Sequence, residues 1–106
     1  MNKHSRIWDK RYGNQTSILD FAGRRMDRSA YGNPNSKYGW NLHHVLPESQ
    51  GGSSEESNLV CANIKTNEEA ADKTSFEIDG IHYQVQKIDG VYKIVNQKTK
   101  EVVSDN

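Results

Sequence analysis

The sequence has little of what small proteins use to add stability. Its 106 residues include one cysteine and two prolines, and only 33% of the residues are hydrophobic. A single cysteine excludes an internal disulfide and a zinc site built from cysteine pairs. We therefore expect one domain over residues 1–106, with a thin core of a few well-packed side chains. Cys61 stands in a short apolar run and is interpreted as a small buried hydrophobe.

Long apolar runs are also missing. No stretch approaches the roughly 18 residues of a membrane span, and the N-terminus MNKHSRIWDK lacks the apolar stretch of a signal peptide. We expect an intracellular, soluble protein with no membrane contact.

The formal net charge of zero hides two halves of opposite sign. Residues 1–41 carry eight Lys or Arg against three Asp, and residues 42–106 carry the balancing negative excess. This division favours a surface that faces a polyanion, with ordinary solvated charge as the alternative. Arg24, Arg25 and Arg28 are the candidates for nucleic-acid contacts, because guanidinium groups bind phosphate oxygens in pairs.

Turn-forming residues divide the first half of the chain. Glycines at 13, 23, 32 and 39 and the run GNPNS predict an irregular N-terminal segment with only short ordered pieces. Residues 40–46 read as a strand that ends at Pro47, because proline cannot donate to a ladder. Residues 59–62 are the expected partner strand, after a long polar loop.

The second half predicts a helix and then strands. Thr66 and Glu69 fit a capping box, which predicts a helix over residues 67–73. Period-two alternation and two Asp-Gly turns predict a C-terminal antiparallel β-meander over 74–103. The fold class is therefore α+β.

The segment HHVLPESQGGSSEESNLVCANIKTN, residues 43–67, combines two adjacent histidines with two spaced asparagines. It resembles the HNH nuclease motif, [DH]-H-[IV]-x-P-x-S-x-G-G followed by N-L and by an Asn or His nine positions beyond that Asn. The resemblance covers residues 40–73, about a third of the chain. The matching residues are His43, His44, Val45, Pro47, Ser49, Gly51, Gly52, Asn58, Leu59 and Asn67.

The resemblance implies a ββα-metal core over 40–73 and metal-dependent hydrolysis of DNA phosphodiester bonds. It implies that His43 and Asn67 hold one divalent cation, that His44 is the general base for water, and that Asn58 braces this base. A neutral imidazole suits proton transfer near pH 7, and a cation suits the charge that develops on phosphate. Mg²⁺ or Mn²⁺ is the expected ion. Ni²⁺ or Zn²⁺ is the alternative, since His replaces the Asp of many members at position 43.

Two features complicate this interpretation. Neighbouring residues of a regular strand point to opposite faces, so His43 and His44 share a site only if the strand bends or ends there. The modest net charge also favours other functions. These are a family-derived module that binds nucleic acid or protein without cleaving, and a nuclease that cleaves only in a complex.

The resemblance further implies DNA as the partner, with RNA, a homodimer and a partner protein left open. It implies a cytoplasmic location in a bacterial or phage-infected cell. Two polar residues near the motif are assigned no chemistry. Asn63 is interpreted as structural and Asp72 as part of a solvated helix face.

Overall fold

The computed structural model describes residues 2–106, which form an α+β fold with two α-helices and three small antiparallel sheets. The elements in chain order are α1 (Lys3–Tyr12), β1 (Ser17–Leu19), β2 (Arg25–Asp27), β3 (Trp40–His44), β4 (Leu59–Asn63), α2 (Ile64–Ala70), β5 (Ser75–Ile78), β6 (Ile81–Ile88) and β7 (Val91–Asn96). Within the described part of the chain, neither helix has both the length and the apolar character needed to cross a membrane.

The prediction of an irregular N-terminal segment is wrong at α1. Asn2 caps this helix by accepting a hydrogen bond from the Ser5 backbone N–H at 3.0 Å, and Gly13, at φ 64°, ends it. Ile7 and Trp8 are its buried residues. The turn-forming residues used for the prediction all lie at or after position 13. Two buried side chains were too weak a pattern to indicate a helix. The stability of α1 depends on its packing against the rest of the fold.

The hairpin of β3 and β4 lies at the centre of the fold. It pairs Trp40 with Asn63 at one end and His44 with Leu59 at the other, as the sequence predicted for a hairpin with a long connection. All five residues of β4 are buried. Because side chains alternate along a strand, Leu59 and Cys61 face one core cluster and Val60 faces the other.

The two core clusters come from different parts of the sequence. One joins the hairpin to α1 and β2 through Trp8, Met26 and Trp40. The other joins the hairpin to α2 and the C-terminal sheet, with Phe76 and Ile94 at its centre. Cys61 is buried, as predicted, and burial raises the pKa of its thiol to about 12.

Helix α2 begins three residues earlier than predicted. Its N-cap is Asn63, whose side-chain oxygen accepts from the Lys65 backbone N–H at 2.9 Å. The predicted capping box is wrong, because Asn63 is the cap and Thr66 lies inside the helix. The Thr66 and Glu69 side chains accept hydrogen bonds from Arg24. Asn63 was correctly interpreted as structural.

The C-terminal meander is confirmed. Strands β5, β6 and β7 pair in sequence order as antiparallel neighbours. Asp79-Gly80 and Asp89-Gly90 have positive φ at both residues, which is the backbone of the tight hairpin turns that these dipeptides predict. One face of this sheet packs on the hairpin and on α2, and so supports the helix that carries Asn67.

Candidate functional site

The loop between β3 and β4 is shaped by its glycine pair. Gly51 has φ 92° and ends the 3₁₀ turn Glu48–Gln50. Gly52 lies so close to the Leu46 backbone that an added Cβ atom would be 1.8 Å from the Leu46 carbonyl oxygen. Only glycine fits there. The loop therefore folds back directly beside the end of β3, where the two histidines are.

Asn58 fastens this loop. Its side-chain oxygen accepts from the Leu46 N–H at 2.9 Å, and its amide nitrogen donates to the carbonyls of Leu46 at 3.0 Å and Ser53 at 2.8 Å. Its backbone carbonyl accepts from the Val45 N–H at 2.9 Å. These contacts hold the residues that follow His44. Asn58 touches the loop backbone rather than the His44 ring, so its geometry is that of a positioning residue.

His43 and Asn67 come together from β3 and α2. The His43 Nδ1 atom is 2.6 Å from the Asn67 side-chain oxygen. An amide oxygen only accepts, so Nδ1 carries the proton in this hydrogen bond. His43 is buried, and burial lowers its pKa, with the Asn67 hydrogen bond acting against this and the His44 imidazole adding to it. The lowered pKa favours the neutral ring, which is the form that binds metal ions.

His44 has a different set of partners. Its Nε2 atom is 2.9 Å from the Ser54 hydroxyl and 3.8 Å from a carboxylate oxygen of Glu48. The Ser54 hydroxyl is also 3.5 Å from the other Glu48 oxygen. A Ser54 hydroxyl that donates to the carboxylate offers its lone pair to a proton on Nε2. In that tautomer Nε2 carries the ring proton and Nδ1 keeps a lone pair.

Both histidines line one cavity of about 280 Å³, together with Asn67. His43 lies opposite Val60 and His44 opposite Leu59, so the two rings start from opposite faces of the hairpin. Both residues nevertheless line the same cavity, at the point where β3 ends. Asp72 is exposed, as predicted, but it is not on a helix face, because α2 ends at Ala70. It also lines this cavity.

An imidazole nitrogen and an amide oxygen are both atom types that bind divalent ions. His43 Nδ1 and the Asn67 oxygen are hydrogen-bonded to each other at 2.6 Å, so both would have to move apart to bind the same ion. Binding through Nδ1 requires that its proton leave this nitrogen. In residues 2–106 no group of three or more His, Cys, Asp or Glu side chains could hold a metal ion. An imidazole and an amide oxygen alone suit Mn²⁺, Ni²⁺ or Zn²⁺ better than Mg²⁺.

Helix α1 holds the His44 loop from the outside. The Lys3 amine donates to the Ser54 carbonyl, and Arg6 binds one carboxylate oxygen of Glu56 at 2.9 and 2.7 Å. Arg6 and Glu56 come from the basic and the acidic half of the sequence. The ion pairs Lys10–Glu56, Arg11–Asp105, Arg24–Glu69 and Arg24–Asp79 join the same halves. Much of the charge difference between the two halves of the sequence is therefore neutralised by ion pairs between them.

The three arginines predicted to contact nucleic acid each have a carboxylate partner. Arg24 binds Glu69 at 3.0 and 3.2 Å. Its side chain is only 16% exposed. Arg28 binds both oxygens of Asp9, at 2.8 and 3.1 Å. Arg25 binds Asp27 through Nε alone, at 2.9 Å. Of the three, Arg25 has the most exposed side chain, at 50%.

We predict that Arg24 stabilises the fold. The Arg24→Gln change should lower the free energy of unfolding by about 2 kcal/mol, since it leaves the Glu69 carboxylate without its partner. Arg25→Gln, a matched change at an exposed pair, should cost less than about 0.5 kcal/mol. Urea denaturation measures both. Equal losses for the two variants would contradict the assignment.

Sequence reasoning missed Ser54 and Glu48. Nothing in the local pattern marks them, since they are two of many polar residues in the loop, and only the folded loop brings them to His44. Comparison of the chain with protein-family models, with curated proteins and with solved structures gives no match.

Proposed function

We propose that this protein is a metal-dependent endonuclease of the HNH type that hydrolyses DNA phosphodiester bonds. The observation that carries the proposal is the meeting of His43, His44 and Asn67 at one cavity. These residues match the family's motif in spacing. In support of the proposal, His43 and His44 lie at the end of β3, which pairs with β4, and Asn67 lies on α2, the helix that follows β4.

In the proposed reaction His44 accepts a proton from the attacking water. Ser54 and Glu48 hold its Nε2 side, so Nδ1 has the lone pair that a general base needs. Asn58 and the glycine pair fix the loop around this ring. A general base aimed in this way contributes about 10²- to 10⁴-fold to rate.

In the same proposal, His43 and Asn67 are the residues that would hold the cation. A bound divalent ion supplies positive charge beside the phosphate oxygens that become more negative in the transition state. Helix α2 presents Asn67 to His43, and the packing of Ala70 against the C-terminal sheet fixes that helix. The protein thus needs only two neutral ligands from rigid elements.

We predict that His43→Ala and Asn67→Ala each weaken metal binding at least ten-fold, because even residues that only support a ligand typically contribute 10- to 100-fold. Isothermal titration calorimetry with Mn²⁺ and Ni²⁺ measures this. His82→Ala is the matched control, because His82 lies on β6, is hydrogen-bonded to Ser75 and does not line the cavity of His43 and Asn67. Unchanged affinity in the His43 and Asn67 variants would show that the ion binds elsewhere.

One observation favours the alternative functions. The ion pairs of Arg24 and Arg28 reduce the positive charge available to DNA, as expected of a module that binds without cleaving or of a nuclease that needs a partner. Incubation of the protein alone with supercoiled plasmid and a divalent ion separates these functions. Nicking supports the free-standing endonuclease, and its absence at every ion favours the alternatives.

A further inference from the structure

A second and larger cavity lies on another side of α2. Its volume is about 500 Å³, and its lining includes Arg25, Lys37 and Lys65. These cations come from three separate parts of the chain, namely β2, the loop before β3, and the start of α2. We call this cavity the basic groove. Lys65 faces the basic groove, whereas Asn67, two residues later in the same helix, faces the candidate site.

One buried side chain holds the backbone of all three cationic residues. The amide nitrogen of Asn63 donates to the carbonyls of Arg25 and Lys37, each at 2.9 Å. Its oxygen accepts from the Lys65 N–H, also at 2.9 Å. Asn63 is buried. Asn63 therefore fixes the backbone positions from which the three cationic side chains extend.

The basic groove has positive charge that the fold does not use. Among the described residues, Lys37 and Lys65 make no ion pair, and both are exposed. Arg25 pairs with Asp27 only through Nε, so its two terminal nitrogens keep their donors. Glu68 is the one carboxylate in its lining. Arg24 also lines the groove, but its charge is paired with Glu69 and Asp79. The other three cations against one lining carboxylate favour an anionic ligand.

An aromatic ring holds two of these cations in place. The Arg25 guanidinium lies 4.3 Å from the centroid of Tyr38, and the Lys37 amine lies 5.2 Å from it. Cations held over an aromatic ring lose less side-chain freedom when they bind. Three cations spread over one groove, two of them held over Tyr38, offer separate contacts to several phosphates of a nucleic-acid backbone, whereas a single small anion would use fewer of them.

We infer that the basic groove binds the phosphate backbone of a nucleic acid through Arg25, Lys37 and Lys65. This inference rests on the proposed function, because the basic groove is the surface that would hold the DNA substrate of the proposed nuclease. It revises the sequence prediction, because Arg24 and Arg28 are replaced by the two lysines. Binding can be measured without cleavage, so the two proposals fail separately.

The test is fluorescence anisotropy of a labelled DNA duplex in EDTA across a series of salt concentrations. The protein carries His44→Ala, so that the DNA stays intact. The groove variants are the single changes Arg25→Gln, Lys37→Gln and Lys65→Gln and the triple combination of all three. The control variant is Lys98→Gln, which changes an exposed lysine outside the groove. Circular dichroism melting checks that each variant is folded.

Each groove variant should reduce the slope of log affinity against log salt by about 0.9 and the affinity at 150 mM salt by about five-fold, whereas Lys98→Gln should change neither. Groove variants that behave like Lys98→Gln, or a parent protein that does not bind DNA, would overturn the inference. In a competition assay, poly-glutamate that displaces the labelled DNA as well as unlabelled DNA of equal charge would also overturn the inference, because the groove would then bind an acidic protein equally well. Cleavage tests do not affect these outcomes.

Discussion

Replacing His44 with Ala is expected to slow plasmid nicking by about 10²- to 10⁴-fold with little change in DNA or metal affinity. The change removes the proposed proton acceptor, whose contribution is to the transition state rather than to ground-state binding. Initial rates of conversion of supercoiled to open-circular plasmid, at saturating metal, measure the effect. Calorimetry on the same variant measures metal affinity. A variant that nicks at the wild-type rate, or that loses metal as severely as His43→Ala, would show that the role is wrongly assigned.

Replacing Ser54 distinguishes the role of the proposed general base, His44, from that of the residue that orients it. Ser54→Ala keeps the His44 ring but removes the hydroxyl 2.9 Å from Nε2. We expect about a ten-fold loss in rate, smaller than for His44→Ala, because the ring is present but less well oriented. Ser54→Thr retains a hydroxyl and should recover most of the rate. Equal rates for Ala and Thr would mean that the hydroxyl does not position His44.

Replacing Asn58 with Ala is expected to lower the free energy of unfolding by about 3 kcal/mol and to reduce nicking strongly. The change removes three side-chain hydrogen bonds and leaves the half-buried backbone groups of Leu46 without these partners. It also frees the loop that carries Ser54. Urea denaturation of the purified variant gives the free energy directly.

Asn35→Ala is the control for this measurement. Asn35 is exposed in the loop before β3, and its replacement should change stability by less than about 0.5 kcal/mol. If Asn58→Ala were as stable as Asn35→Ala, the loop would not depend on the Asn58 side chain.

The parts of the fold that local pattern controls were predictable. The alternation of β5 and β6 and the two Asp-Gly turns gave the meander, because strand period and turn chemistry are local properties. The resemblance to the HNH motif implied that His43 and Asn67 lie together, and their side chains are hydrogen-bonded. Composition indicated a long polar loop before β4, but the close approach of Gly52 to Leu46 needed the structure.

The parts that depend on distant residues were not predictable. Helix α1 has only Ile7 and Trp8 as buried residues, and it packs on a hairpin strand about 50 residues later in the chain. The capping box failed because a different local residue, Asn63 at the end of β4, caps the helix three residues earlier. Only the contacts of Thr66 and Glu69 with Arg24, 42 and 45 residues away in the chain, needed the folded structure.

The candidate site shows the same division. Types and spacing of residues indicated His43, His44, Asn58 and Asn67. The contacts of Ser54 and Glu48 with His44 arise only when the loop closes. The residues that could bind phosphate also depend on which cations the fold leaves without an ion-pair partner. The net charge of residues 1–41 cannot show which ones these are.

The central claim is that this chain alone hydrolyses DNA with the help of a divalent ion. The most direct test is incubation of the purified protein with supercoiled plasmid in EDTA and in Mg²⁺, Mn²⁺, Ni²⁺ and Zn²⁺, followed by gel separation of the plasmid forms. We predict open-circular or linear product with at least one ion, none in EDTA, and none with His44→Ala at the same protein concentration. Plasmid that stays supercoiled with every ion, or nicking that persists equally in the His44→Ala protein, would contradict the claim.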